Sequence, residues 1–135
     1  MHWFEEILQG TVVRYCKPMT INSQIPTFYC FQLREGESSL SVYLLDYFEK
    51  PSEQEKVVAV KQLMESKKFQ CKPSGVFATL DIEKSKQKIF ESIAQSIWYH
   101  AEGLPHCGIS HEYEDLVIAQ FLAESVNHCY PAKQL

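Results

Sequence analysis

The stretch that decides the fold is residues 96–125, SIWYHAEGLPHCGISHEYEDLVIAQFLAES. Its first residues are β-branched and aromatic, which favours a core strand. From His111 to Cys129, apolar residues recur at helical spacing, which predicts a heavily buried helix. Ser110 is the expected N-cap of that helix, and the acidic residues that follow it suit the positive end of the helix dipole. Residues 100–111 are therefore predicted to connect a strand to a helix.

The rest of the chain adds further strand and helix patterns. Ser52 and Glu55 form a capping box after Pro51, which predicts a helix within residues 50–68. Residues 83–92 fit either a solvated helix or a hairpin arm. Three other segments favour strands, at 11–17, 27–34 and 76–82. Residues 39–48 favour a short helix. Together they predict a single α+β domain over residues 1–135, with a mostly antiparallel sheet of three to five strands and about three helices.

Composition and charge limit the classes of function. At 135 residues the chain has the length of one ordinary domain and can fold without a metal or disulfides. The formal net charge of −4 argues against broad, sequence-independent binding to nucleic acid, because such binding needs a positive surface.

The five cysteines are scattered and form no C-x-x-C pair, which favours free thiols in a reducing compartment. The first ten residues carry acids where a signal peptide has basic residues. No stretch approaches the roughly 18 apolar residues of a membrane helix. The sequence therefore predicts a soluble cytoplasmic protein that does not bind a membrane.

Three histidines make residues 100–111 a candidate functional segment. His100, His106 and His111 could supply three zinc ligands, with Cys107 or Glu112 as a fourth. Their spacing matches no short zinc motif, so we expect no metal and keep zinc as the alternative. Cys107 is expected to be a small buried core residue rather than a nucleophile.

His106 is instead a candidate general acid or base, since one well-placed histidine suffices for that role. Arg34 lies near a turn before a predicted helix, where guanidinium and backbone N–H groups can bind the same anion. Glu37 could polarise a substrate hydroxyl. The alternative is that Arg34 forms a surface salt bridge with Glu37 or Glu35, which would contribute little to stability.

Two segments, LREGESSLSVYLLDYF (33–48) and LPHCGISHEYEDLVIAQFLAESV (104–126), resemble a pattern of short uncharacterised bacterial proteins. In that pattern R-x-G-E precedes a leucine- and serine-rich helix, and a later H…P-x-H-x-G-I leads into another helix. The matching positions are Arg34, Gly36, Glu37, Ser41, His100, His106, Gly108 and Ile109. The resemblance implies a bacterial cytosolic protein and no particular activity.

Two functions remain open at this point. Small size, mild acidity and the lack of a strong catalytic motif favour a binding or regulatory subunit of a larger complex, with a protein partner. The alternative is a small hydrolase or transferase for a phosphate-bearing or nucleotide-like substrate, in which His106 is the acid/base and Arg34 the anion anchor. The distance between Arg34 and His106 discriminates between them.

Overall fold

The computed structural model describes residues 5–135 and has an α+β architecture built around a six-stranded antiparallel sheet. The strands of this sheet are β1 (Thr11–Cys16), β4 (Leu40–Leu44), β5 (Val76–Asp81), β6 (Ile97–Ala101), β7 (His106–His111) and β8 (Val126–Pro131). Their order is β6-β7-β4-β1-β5-β8. Two short strands, β2 (Ile21–Asn22) and β3 (Ile25–Pro26), pair separately. The helices are α1 (Glu53–Ser66), α2 (Ile82–Ile93) and α3 (Asp115–Glu124).

The sheet has a core on each side. On its first face, side chains such as Val12, Val42 and Ile109 pack with α2, α3 and a 3-10 helix at Phe28–Phe31. On its second face, Val13 and Phe77 pack with α1. Alternate residues of one strand point to opposite faces, so the two cores share the same strands.

Helix α1 forms where the sequence predicts it. Ser52 is the N-cap, and its hydroxyl accepts a hydrogen bond from the Glu55 backbone N–H at 3.1 Å. Val57, Val60 and Met64 are buried on one side of the helix, as their spacing predicts. The segment whose structure the sequence left open, residues 83–92, is also helical and lies within α2.

The strand β1 pairs differently with its two neighbours, and this difference creates a fork. All six residues of β1 pair with β5. Only Val12 and Val13 pair with β4, opposite Leu44 and Tyr43. Beyond Val13, β1 and β4 no longer pair, so a space opens between them.

The predictions for residues 27–34 and 39–48 are wrong. Residues 28–31 form a 3-10 helix instead of a strand. Residues 40–44 form β4, and a 3-10 turn follows at Leu45–Tyr47. The apolar residues that suggested a helix at 39–48 belong to these two consecutive elements, so their helical spacing does not reflect one periodic structure.

The prediction for residues 100–111 is also wrong. These residues contain the end of β6, a turn and all of β7, and the two strands pair as a hairpin. Glu102 N–H donates to the His106 carbonyl at 2.9 Å and closes the turn. Ser110 therefore lies within a strand, and the N-cap residue of α3 is Glu114.

The helix predicted at 111–129 is shorter than expected because its last residues form β8, which pairs with β5. The helix count of three and the mostly antiparallel α+β class are confirmed, whereas the predicted three to five strands are too few. The sheet is larger because β4, β7 and β8 lie in segments assigned to helices or a connection.

The expectation of free cysteines is only partly correct. Cys16 of β1 and Cys30 of the 3-10 helix form a disulfide, while Cys71, Cys107 and Cys129 are free. Sequence spacing does not reveal this pair because the fold, and not a motif, brings the two residues together. Within residues 5–135, no helix is long and apolar enough to cross a membrane.

Candidate anion-binding site

A cavity of about 450 Å³ lies at the fork between β1 and β4, and we call it the fork cavity. Three cationic side chains and one acid line it, together with aromatic and hydroxyl groups; these include Arg14, Lys17, Arg34, Glu37, Tyr15, Tyr29, Ser41, Tyr43 and Phe69. Its volume falls within the range of small-molecule sites. It is the place where two of the predicted site residues, Arg34 and Glu37, meet.

Arg14 occupies the point where the two strands separate. Its Nε donates to the Cys30 carbonyl at 2.5 Å, and its Nη1 donates to the Ser41 carbonyl at 2.7 Å. The guanidinium thus connects β1 to β4 at the point where the backbone pairing between the two strands has ended. Its third nitrogen, Nη2, makes no hydrogen bond to any residue of the described chain, so it can bind a ligand.

Burial is the main factor that disfavours the charged form of Arg14, and the other charges of the fork cavity act in both directions. Burial lowers the pKa of Arg14 to about 10, the Glu37 carboxylate partly opposes this, and Arg34 adds to it. Burial also lowers the pKa of Lys17, and the neighbouring cations Arg34, Arg14 and Lys72 lower it further. Three cations facing one acid leave a positive site on a protein whose net charge is −4.

The turn at residues 34–37 holds Arg34 and Glu37 at the cavity. Glu37 N–H donates to the Arg34 carbonyl at 3.0 Å, and the Arg34 N–H donates to Glu37 Oε1 at 2.6 Å. Gly36 adopts a φ of 86° between them, which favours glycine. On the preceding residue, Leu33 N–H donates to Asp115 Oδ2 at 2.9 Å, which attaches the turn to the start of α3.

The predicted ion pair of Arg34 with Glu37 or Glu35 is absent from residues 5–135, where neither acid comes within salt-bridge distance of the guanidinium. Glu37 instead uses its carboxylate to accept a hydrogen bond from the Arg34 main chain. The Arg34 side chain is therefore not neutralised by a direct contact with its neighbours in the turn.

His106 lies behind the wall of the fork cavity and contacts it through Ser41. The alternation along β7 puts His106 on the second face, because Cys107 and Ile109 belong to the core of the first face. Its Nε2 is 2.6 Å from Ser41 Oγ, and its ring centroid lies 5.5 Å from that of Tyr43. Arg34 therefore lines the fork cavity, whereas His106 does not line it and contacts only Ser41, a lining residue to which the sequence analysis gave no role.

A second serine–histidine contact lies farther along the same face. His100 Nε2 is 2.7 Å from Ser110 Oγ, and both residues line a separate cavity of about 410 Å³ with Glu6, Ser39, Trp98 and Glu102. Gly108 separates the two serine–histidine pairs, and it pairs with Ser41 on one side and His100 on the other. A Cβ at Gly108 would lie 2.5 Å from Glu102 Oε1, so glycine allows that carboxylate to lie on the sheet.

The three histidines do not share one environment. His111 is five residues after His106 on the same strand and so points to the first face, where its Nε2 lies 3.1 Å from Asp115 Oδ1. A shared zinc would require all three side chains on one side of the sheet. Among residues 5–135, no three His, Cys, Asp or Glu side chains are arranged to hold a metal ion.

Cys107 is a core residue, as expected. It is fully buried, and burial raises the pKa of its thiol to about 11. The important residue missed by the sequence analysis is Arg14. One signal could have identified it: an arginine inside the otherwise apolar strand TVVRYC needs a specific partner.

No family model, no curated protein and no solved structure matches this chain.

Proposed function

We propose that this protein binds a small phosphate-bearing molecule in the fork cavity. The observation that carries this proposal is the guanidinium of Arg14, held between Cys30 and Ser41 with its Nη2 unbonded within the described chain. A guanidinium fixed in this way needs little reorganisation to bind an oxyanion. Arg34 and Lys17 add charge around it, and among the described lining residues Glu37 is the one opposing acid.

The size and walls of the cavity support a compact ligand with an apolar or flat part. Four aromatic side chains line it, at positions 15, 29, 43 and 69, and about half of the Tyr29 and Phe69 surfaces remains exposed. Such side chains can pack on a ring while the cations hold the phosphate. A concentrated positive site on an acidic protein suits a small anion better than a nucleic-acid polymer, which requires an extended basic surface.

A regulatory subunit with a protein partner is the second candidate, and the outer strand β8 favours it. β8 pairs with β5 on one side and is last in the sheet order, and no strand within residues 5–135 pairs with its other edge, which can therefore accept a further strand. In that case, ligand binding in the fork cavity would be the signal that the subunit reports. A bacterial origin and a cytoplasmic location stay expectations. The cytoplasmic location was expected partly because all five cysteines were taken to be free thiols, and the Cys16–Cys30 disulfide weakens that reason.

Ligand binding is tested by isothermal titration calorimetry with inorganic phosphate and with phenyl phosphate. We expect both to bind, and phenyl phosphate to bind more tightly because its ring contacts the aromatic wall. Arg34→Met should weaken binding by roughly 10-fold or more, since a charge-assisted hydrogen bond contributes about 1.5–3 kcal/mol. Arg14→Lys should also weaken binding, because lysine cannot bridge two carbonyls and a ligand together.

Lys84→Met is the matched control, since Lys84 is an exposed cation on α2 that does not line the fork cavity. It changes the net charge by the same amount as Arg34→Met and should leave the affinity unchanged within about twofold at moderate salt. The proposal is wrong if the wild-type protein binds neither ligand. It is equally wrong if Lys84→Met and Arg34→Met weaken binding to the same extent.

A further inference from the structure

We propose that Ser41 and His106 form a catalytic pair that hydrolyses a phosphomonoester bound in the fork cavity, with Ser41 as nucleophile and His106 as general base. This inference rests on the proposed binding of a phosphate-bearing ligand. It goes further in assigning a chemical step to two side chains on neighbouring strands. Nucleophile and base within hydrogen-bond reach are the geometric requirement of this chemistry.

The serine is held from two directions. Its main-chain carbonyl accepts the hydrogen bond from Arg14 Nη1 at 2.7 Å, while its hydroxyl oxygen lies 2.6 Å from His106 Nε2. In the tautomer with the ring proton on Nδ1, the hydroxyl donates to Nε2, which is the arrangement that a general base requires. The same arginine therefore fixes the nucleophile and faces the ligand.

The environment supplies the charge that the reaction needs. A phosphoryl group in transfer concentrates negative charge on its outer oxygens, and fixed cations stabilise that charge. Arg14, Arg34 and Ser41 all line the fork cavity. Ser110 and His100 show the contrast, because their equally short contact opens into a cavity whose charged members are the acids Glu6 and Glu102.

The proposed reaction has two balanced steps. In the first, Ser41 Oγ attacks phosphorus and its proton passes to His106 Nε2, the bond from phosphorus to the ester oxygen breaks, and the leaving alcohol takes the proton from His106. In the second, His106 accepts a proton from water as the water oxygen attacks the phosphoserine, and the bond from phosphorus to Ser41 Oγ breaks. The proton returns to Ser41, so one phosphomonoester and one water give one alcohol and one phosphate.

The experiment measures release of p-nitrophenol from p-nitrophenyl phosphate by the full chain, together with binding of inorganic phosphate by calorimetry. We expect slow but catalytic turnover in the wild-type protein. Ser41→Ala and His106→Asn should each lower kcat by at least about 100-fold. Phosphate affinity should change less than about threefold, because neither side chain carries the cationic charge. Intact-mass spectrometry of protein incubated with p-nitrophenyl phosphate should find one phosphoryl group on the wild-type chain and none on Ser41→Ala.

Ser110→Ala is the matched control because it removes the other serine–histidine contact on the same face of the sheet. It should retain wild-type turnover, and circular dichroism melting confirms that each variant is folded. Ser41→Cys is the second nucleophile variant, and it should keep phosphate binding while losing most phosphatase activity. Phosphate binding without turnover in the wild type, or wild-type turnover in Ser41→Ala, overturns the catalytic pair alone. Absence of phosphate binding overturns the proposed function as well.

Discussion

Arg14 and Ser41 are joined across the gap between β1 and β4 by a hydrogen bond of 2.7 Å from Nη1 to the Ser41 carbonyl. The same Ser41 contacts His106 through its hydroxyl at 2.6 Å. Ser41 thus links the cation that can hold an anion to the imidazole that can accept a proton. Ser41 thus connects His106, which the sequence motifs indicated, to Arg14, which they did not.

Arg14→Met should destabilise the protein by about 2 kcal/mol. The substitution removes the donor for the carbonyls of Cys30 and Ser41, and an acceptor left without a partner costs roughly 1–3 kcal/mol, less where water can reach it. Urea unfolding followed by fluorescence measures the change. Arg34→Met, at an exposed position, should stay within about 0.5 kcal/mol of wild type. Equal stabilities of both variants would contradict the bridging role of Arg14.

Glu37→Gln should strengthen phosphate binding, by roughly threefold to tenfold. The carboxylate is the opposing charge in the fork cavity and raises the pKa of both Arg14 and Lys17. Glutamine keeps an oxygen that can accept from the Arg34 N–H, so the turn should persist. Calorimetry at low salt gives the affinity, and the gain should shrink as ionic strength rises. Weaker binding in Glu37→Gln would instead indicate that the carboxylate contacts the ligand, as the sequence analysis suggested.

Loss of the Cys16–Cys30 disulfide should lower both stability and phosphate affinity. The bond joins residues 14 apart in sequence, and closing a loop of that size contributes about 3 kcal/mol. It also fixes Cys30, whose carbonyl holds Arg14 Nε. The double variant Cys16→Ala/Cys30→Ala is compared with wild type by thermal melting and calorimetry. Cys129→Ser, at an exposed free cysteine, should behave as wild type in both; unchanged phosphate affinity in the double variant would separate the disulfide from the site.

Cys107 should make the protein less stable at alkaline pH. Burial raises the pKa of this thiol in the folded state from its ordinary value of 9.0 to about 11. The stability that depends on the neutral thiol is therefore complete below the ordinary value, which applies to the unfolded chain, and is lost as pH rises toward the folded value. Between these values, the free energy of unfolding of wild type should fall more steeply than that of Cys107→Ala, by at most about 1.4 kcal/mol per pH unit. Below pH 8 the free energy of unfolding should depend on pH in the same way in both proteins. The same dependence above pH 9 would refute the raised pKa of Cys107.

Local signals in the sequence predicted some elements well. Ser52, Glu55 and the apolar stripe of α1 are adjacent in sequence and define a helix without help from the rest of the fold. Residues 76–81 are nearly all buried, and their strand was predicted from the same kind of local pattern. These two elements were predicted correctly because the local preference of their residues for helix or strand agrees with where the fold buries them.

The site depends instead on contacts between distant residues. Arg14 and Ser41 meet only because residues 40–44 form the strand β4. The sequence does not predict this strand, because its apolar residues at 40, 43, 44 and 47 have the spacing of a helix. His106 was identified as a candidate, but its partner depends on the pairing of β7 with β4. Neither the register of that pairing nor the Cys16–Cys30 contact leaves a signal in residues that are neighbours along the chain.

The second face of the sheet is divided between packing and chemistry. Helix α1 packs where Val13 and Phe77 form a core, whereas β4 and β7 carry Ser41 and His106 on that face. Mutations in the polar half remove few core contacts and so should seldom cost the fold. Natural variation could therefore alter the ligand or the reaction at Ser41 and His106 while the first-face core and α1 keep the chain folded, and this division makes the architecture open to functional divergence.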